Sequence, residues 1–209
     1  MIALPQLRRS FLVRRGVVSS LRRAFGLIPI GAMAIAFATL QAAPQSEVQK
    51  PKIPEKVFNV TEYGTKAGEA NNGPAIQKAI DAAAAAGGGR VVILAGDFVS
   101  GPIVLKNKID LHLEKGAKLM MSPNFEDFPA ERNRRQNFIH ANGVSDVRIS
   151  GEGTIDGRGE AWRKAYRATK GTENSEPRRP QLIVMEKCER VELDSISTLN
   201  PPNTHAPTE

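Results

Sequence analysis

Beyond residue 70, the order of apolar and polar positions predicts one helix followed by a long series of short strands. Asn71-Asn72-Gly73-Pro74 supplies a helix start, with a cap and a proline suited to the first turn. Ile76, Ala79, Ile80 and Ala83 then recur at helical spacing until Gly87-Gly88-Gly89 ends the pattern. This helix is alanine-rich and thin, suited to lying against another layer rather than forming a core by itself. Residues 91–94, 101–105, 109–113, 146–150, 154–156, 182–185 and 191–193 read as strands. They are rich in β-branched residues and broken by Gly, Asn, Asp and Lys.

The strand segments resemble one another. When "FIHANGVSDVRISGEGTI" (138–155) is set above "LIVMEKCERVELDSISTL" (182–199), Phe138 meets Leu182, Ile139 meets Ile183 and Val144 meets Cys188. In the same alignment Val147 meets Val191, Ile149 meets Leu193 and Ile155 meets Leu199. Ile109 and Leu111 fit the Val147 and Ile149 slots, and Val91 and Ile93 fit eighteen residues earlier still. Short strands with inward apolar residues at fixed slots predict a coil of stacked rungs.

Charge changes the picture only at the N-terminus. The formal net charge is +7, but Arg8, Arg9, Arg14, Arg15, Arg22 and Arg23 fall within residues 1–46, which hold no acidic residue. Setting these six aside leaves 23 basic residues against 22 acidic ones, a net of +1, so no basic surface of the kind nucleic acid requires is expected. The arginines precede an apolar run at 27–40 that is too short to span a bilayer comfortably. A basic flank, a short apolar core and small residues after it describe an export signal over residues 1–43, with cleavage after Ala38, Ala42 or Ala43. A short membrane anchor is the alternative, and otherwise contact with a membrane is expected only through the signal. Arg8-Arg9-Ser10-Phe11-Leu12 and Arg22-Arg23-Ala24-Phe25 fit a twin-arginine route, and the general secretory route fits as well. Residues 44–56, PQSEVQKPKIPEK, read as a linker. The single cysteine, Cys188, occupies an apolar slot of the repeat and reads as a buried small residue.

Candidate chemistry centres on "ISGEGTIDGRGEAW" (149–162), where Glu152, Asp156 and Glu160 sit among four glycines. Alternation puts Val147, Ile149, Gly151, Gly153 and Ile155 on one face and Arg148, Glu152, Thr154 and Asp156 on the other. Four residues of extended chain separate Glu152 from Asp156 by about 13 Å of backbone, beyond the roughly 5–9.5 Å of a glycosidase carboxylate pair. The stretch therefore reads as scaffold, with glycines at bends. His112 and His140 lie in strands without a ligand cluster and read as structural. There is no Gly-x-Ser-x-Gly elbow, no phosphate-cradling loop and no metal-ligand spacing. The segment 158–180, read as a loop, carries Trp162, Tyr166, Arg163, Lys164, Arg167, Lys170, Arg178 and Arg179, which suit contact with an anionic sugar or plain solvation.

The same residues carry a family resemblance. Phe58-x-Val60, Tyr63-Gly64, the helix at 76–86, Gly87-Gly88-Gly89, Val91-x-Ile93, Ala95-Gly96-Asp97-Phe98 and Ser100-Gly101-Pro102-Ile103 follow one another as in polygalacturonase-like enzymes of glycoside hydrolase family 28. Gly151-Glu-Gly-Thr-Ile-Asp-Gly157 with Trp162, then Arg179-Pro180-Gln-Leu-Ile183 and Leu199-Asn200-x-Pro202, resemble the family's next landmarks. The resemblance spans about 57–205 and leaves 206–209 as a tail outside it. It implies an all-β fold, a right-handed parallel β-helix with one N-terminal capping α-helix. It also implies inverting hydrolysis of α-1,4-galacturonosyl bonds in pectin, with an aspartic acid as general acid, two aspartates activating water, and no metal or cofactor. The implied partner is pectin-type acidic polysaccharide.

The family's site motifs, Asn-Thr-Asp-Gly, Asp-Asp, Gly-His-Gly and Arg-Ile-Lys, do not occur in the sequence, and Asn203-Thr204-His205 has His where Asp belongs. No catalytic residue carries over. The expectation is a chain cut short before the catalytic rungs and inactive alone. Its last rung, 182–199, is expected to expose apolar slots that make residues 44–209 unstable or self-associating. A non-catalytic module binding acidic polysaccharide through 158–180, and a lyase or epimerase relative on the same fold, remain alternatives. A calcium-dependent lyase would need clustered carboxylates on one rung face, and no such cluster is legible.

Overall fold

The computed structural model describes residues 49–172 and 178–203. The expected export signal at 1–43, the first part of the expected linker, and Thr204, His205 and the tail lie outside the described residues.

The strands wind into stacked coils. The first coil is β2 (Gly89–Ile93), β3 (Gly96–Ser100) and β4 (Ile103–Val104). The second is β5 (Ile109–Leu113), β6 (Ala117–Met121) and β9 (Ile139–Asn142). The third is β10 (Ser145–Ser150), β11 (Thr154–Asp156) and β12 (Ile183–Glu186). A fourth begins with β13 (Glu189–Asp194) and β14 (Ser197–Leu199). Stacking generates three parallel sheets. Sheet A runs β1 (Val57–Asn59), β2, β5, β10, β13; sheet B runs β3, β6, β11, β14; sheet C runs β4, β9, β12. This is the coil of stacked rungs that the repeat predicts and the parallel β-helix that the family resemblance implies.

Register follows the sequence repeat with two corrections. Val147 pairs with Val191, Ile149 with Leu193 and Ile139 with Ile183, as aligned. Ile155, however, pairs with Thr198, and Asp156 takes Leu199. The corner between sheets A and B holds three residues, 151–153, in the third coil and only two, Ser195 and Ile196, in the fourth, so the ladder slips by one. Val91 pairs with Leu111 and Ile93 with Leu113, twenty residues on instead of eighteen. A shift of two preserves the face to which each side chain points, so the apolar column survives it.

The interior is a continuous apolar column. Val91, Ile93, Ile109, Leu111, Leu113, Val147 and Ile149 from sheet A are all fully buried, as are Leu119 and Ile155 from sheet B and Ile103 and Ile139 from sheet C. One end is closed by α1 (Gly73–Ala85), whose Ile76, Ala79, Ile80 and Ala83 are buried as the spacing predicts. The cap works differently from expectation. Asn72 exchanges two hydrogen bonds with the main chain of Lys66, while Asn71 Oδ1 accepts from Gly73 N and Gly101 N, both at 2.9 Å. The helix start is thereby tied to the first coil. Gln77 closes the outer edge of sheet C: its Nε2 donates to Val104 O at 3.1 Å and its Oε1 accepts from Val104 N at 2.9 Å, in place of a neighbouring strand. At the other end, Val191, Leu193 and Leu199 are 38%, 56% and 49% exposed, although Val147 and Ile149 beneath them are fully buried. Full burial of such a side chain is worth about 1.5–3 kcal/mol, of which each of these half-exposed residues forgoes a part.

Outside sheet A one stacked row is charged, and its signs alternate. Arg90, Asp110, Arg148 and Glu192 occupy one register row across β2, β5, β10 and β13. Asp110 is buried and accepts from Arg90 Nε and Arg148 Nη2, both at 2.9 Å, and from Ser150 Oγ at 2.7 Å. A second row, Lys108, Asp146 and Arg190, turns the corner into sheet A with φ of 58°, 60° and 52°. Arg190 grips Asp146 through Nε at 2.6 Å and Nη2 at 3.0 Å, and Lys52 N adds a third donor at 2.9 Å. Residues 51–55 thereby lie along sheet A, over a cavity of about 300 Å³ that Arg90, Asp110 and Arg148 also line.

The Arg190 hydrogen bonds, with the Lys52 amide second, hold the Asp146 carboxyl at about 2, below its ordinary 3.8. A depressed carboxylate contributes stability that is complete above the unfolded value and lost as pH falls through the folded one. The hold of Asp146 on Arg190 and on residue 52 is therefore expected to persist down to about pH 4 and to disappear as pH falls towards 2. Acid titration with limited proteolysis checks this: wild type should gain cleavage near residues 50–56 across that window. Asp146→Asn should show the cleavage already at neutral pH. A wild-type cleavage pattern unchanged from pH 5 to pH 2 would count against it.

Candidate functional site

Glycine and short polar side chains govern the quoted stretch, and they build a corner. Gly151 has φ of +103°, and a Cβ there would lie 2.0 Å from Leu113 O. Only glycine lets the third coil bend so close to the second. The straight-strand spacing of Glu152 and Asp156 therefore does not apply: β10 ends at Ser150, β11 starts at Thr154, and Glu152 stands on the bend between two sheets. Glu152 is exposed and pairs with Lys115 at 3.3 Å. Asp156 Oδ1 accepts from Arg158 N at 2.9 Å and Asn200 Nδ2 at 3.1 Å, which ties the third coil to the fourth. Glu160 and Asp156 line one open groove of about 480 Å³, whereas Glu152 lines another with His112. The three carboxylates do not share a cleft.

The histidines and the cysteine have identifiable neighbours. Ser150 Oγ gives its proton to Asp110, so its 2.8 Å contact with His112 requires an Nδ1–H donor. His112 thus steadies the buried charge row. His140 stands on the outward face of sheet C, in register with Val104 and Val184. Cys188 is half-buried, and its thiol lies 3.2 Å from Glu186 O. Among the described residues no group of three or more His, Cys, Asp or Glu could hold a metal ion.

Segment 158–180 is not a loop throughout. Residues Gly159–Thr169 form α2, so the fold has two helices where the sequence reading gave one. Trp162 is buried against Phe125, at 4.3 Å between ring centroids, and Phe128, at 5.2 Å, which anchors the helix on the excursion that follows β6. Two of the segment's cations are committed to framework: Arg163 donates to Pro201 O at 2.7 Å and Arg179 to Pro202 O at 2.9 Å. Arg179 also stacks on Tyr166, 4.8 Å from its centroid.

The cationic surface lies elsewhere, on sheet C. After β6 the chain forms a hairpin, β7 (Ala130–Glu131) and β8 (Arg134–Arg135), turned by Arg132 and Asn133 with φ of 46° and 67°. Positive φ at both central residues is the two-residue turn whose twist suits a hairpin. Arg135 fixes its base by donating to Phe125 O at 2.8 Å and Phe128 O at 3.1 Å, beneath the rings of Phe125 and Trp162. Between hairpin and sheet lies an open groove of about 620 Å³, lined by Val104, Glu131, Arg132, Arg134, Arg135 and His140 among others. Among the described residues Arg132 and Arg134 take part in no ion pair. The sequence reading passed over them, although Asn133 inside the charged run 131–135, between Phe128 and Phe138, is a turn signal.

Comparison with known proteins accords with this architecture. Residues 88–209 match the family Glycosyl hydrolases family 28. An exo-poly-alpha-D-galacturonosidase of Dickeya chrysanthemi is 34% identical over 58% of this chain and 22% of its own length. An endo-polygalacturonase of Pectobacterium parmentieri is 28% identical over 85% of this chain and 48% of its own. The polygalacturonase structure from Erwinia carotovora ssp. carotovora superposes with a TM-score of 0.60 at 27% identity, covering 75% of this chain and 45% of that one. The chain spans less than half the length of each of these relatives. With the matched region extending over more than half of its residues and the stacked parallel sheets in common, this chain belongs to glycoside hydrolase family 28, the polygalacturonase-like family.

Proposed function

We propose that this protein serves the hydrolysis of galacturonan, the polymer that its named relatives act on. The reaction class is inverting hydrolysis: water adds to the anomeric carbon on one face while the bridging oxygen leaves protonated on the other. Within that activity the described coils supply the frame and a surface for the acidic chain, and the hydrolytic carboxylates are not among their acids. Export through residues 1–43 belongs to the same proposal, since the polymer is a cell-wall substrate.

The observation that supports this division is the commitment of the carboxylates. Asp110 and Asp146 are buried in charge rows, Asp156 binds two donors across coils, and Glu152 pairs with Lys115 on an exposed bend. A general acid must release a proton near neutral pH. Asp146, held at about 2, is far from that range. A module that binds acidic polysaccharide without cutting it is the second reading, and the cationic groove on sheet C favours it over a lyase.

Two measurements follow. The 209-residue polypeptide incubated with polygalacturonate is expected to form no new reducing ends while it is retarded in a gel containing that polymer. Steady release of galacturonate would defeat the division of labour stated here. In thermal unfolding, Asp156→Ala is expected to cost about 1–2 kcal/mol, because two hydrogen bonds are lost. Glu152→Ala should stay within about 0.5 kcal/mol, as an exposed pair does. Equal losses in both variants would contradict the assignment of Asp156 as the framework carboxylate.

A further inference from the structure

The groove between the β7–β8 hairpin and sheet C has the features of a site for a carboxylated sugar. Its walls offer the guanidinium groups of Arg132, Arg134 and Arg135 against the single carboxylate of Glu131. Arg135 is spent on Phe125 O and Phe128 O, which leaves Arg132 and Arg134, both exposed or nearly so, as the groups able to meet a ligand. The floor is Val104 and His140, which stand in register on the outward face of sheet C. Val104 is 39% exposed, so an apolar patch faces the same space. Guanidinium forks match carboxylates in bidentate geometry, and an apolar floor suits the C–H face of a sugar ring. The volume of about 620 Å³ lies in the range of small-ligand sites. The hairpin is held in place: its base is locked by Arg135, Phe128 is fully buried, and Arg134 bridges to Arg178.

We propose that this groove is a binding subsite for de-esterified uronic-acid oligosaccharide, with Arg132 and Arg134 taking the carboxylates and the Val104–His140 floor taking a ring face. The proposal rests on the galacturonan reading above and adds the place on the molecule and the groups responsible. It moves the site away from 158–180, where the sequence reading located sugar contact and where Arg163 and Arg179 instead hold the turn at 200–202.

Equilibrium dialysis of the full chain against a short galacturonate oligosaccharide tests it, and the readout does not depend on the oligomeric state of the protein. Arg132→Ala/Arg134→Ala is expected to weaken binding about tenfold or more, and Arg134→Lys to weaken it less. Added salt should weaken wild type more than the double variant. Lys164→Ala, in the separate groove beside Asp156, should bind within about twofold of wild type. The emission of Trp162, the only tryptophan, reports that each variant keeps its fold. The methyl-esterified oligosaccharide should bind no better than the double variant binds the acid. If the double variant binds as wild type does while Lys164→Ala loses binding, this subsite is wrong and the galacturonan reading stands. If wild type ignores galacturonate, or prefers a sulfated galactan oligosaccharide of equal charge, both fall.

Discussion

Stacking in register is the constraint from which the rest of this molecule follows. A parallel coil sets each side chain directly over its equivalent in the coil below, about 4.8 Å away. For apolar residues that repetition is favourable, and Val91, Leu111 and Ile149 form one column of the core by it, with Leu193 stacked on its exposed end. For charged residues the same repetition would set like over like. The chain resolves this by alternating sign: Arg90, Asp110, Arg148, Glu192 along one row, and Lys108, Asp146, Arg190 along the next. Buried Asp110 is tolerated because two arginines and a serine satisfy it. Corners repeat as well: Gly143 and Lys187, and Gly151 and Ser195, are pairs of left-handed residues one coil apart.

That constraint also shapes what the acids of these coils can do. A carboxylate gripped by guanidinium groups is stable and unreactive, as Asp110 is between Arg90 and Arg148, and Asp146, gripped by Arg190, is held at about 2. Outside the rows, excursions between β6 and β9 and between β11 and β12 stand off the coil. The first excursion carries the exposed arginines, and the second carries the tryptophan that braces it. A scaffold that repeats thus gains its individuality from what interrupts the repeat.

The same division explains what could be read from the sequence. The apolar slots, α1 and the pairing of the third and fourth coils were legible, because stacking imposes a repeat on the chain itself. The slip at Ile155 was not, since a corner one residue shorter leaves the apolar pattern nearly intact and alters only the pairing. Helix α2 was hidden by its charges. Ala161, Trp162, Ala165, Tyr166 and Thr169 fall on one helical face, but only Trp162 among them is buried, so the apolar stripe is narrow. The groove arginines were missed because the hairpin pairs only two residues per strand, too few for alternation to register.

Stability is built coil upon coil and is greatest where a strand is stacked on both sides. Native-state hydrogen exchange on the full chain tests this most directly. The slowest amides should lie in β5 and β10, exchanging only with global unfolding, and those of β13 and β14, stacked on one side in the described structure, should exchange through local opening at markedly lower free energy. Protection in β13 equal to that in β5, or a β10 that opens independently of its neighbours, would contradict the stacking account at its root.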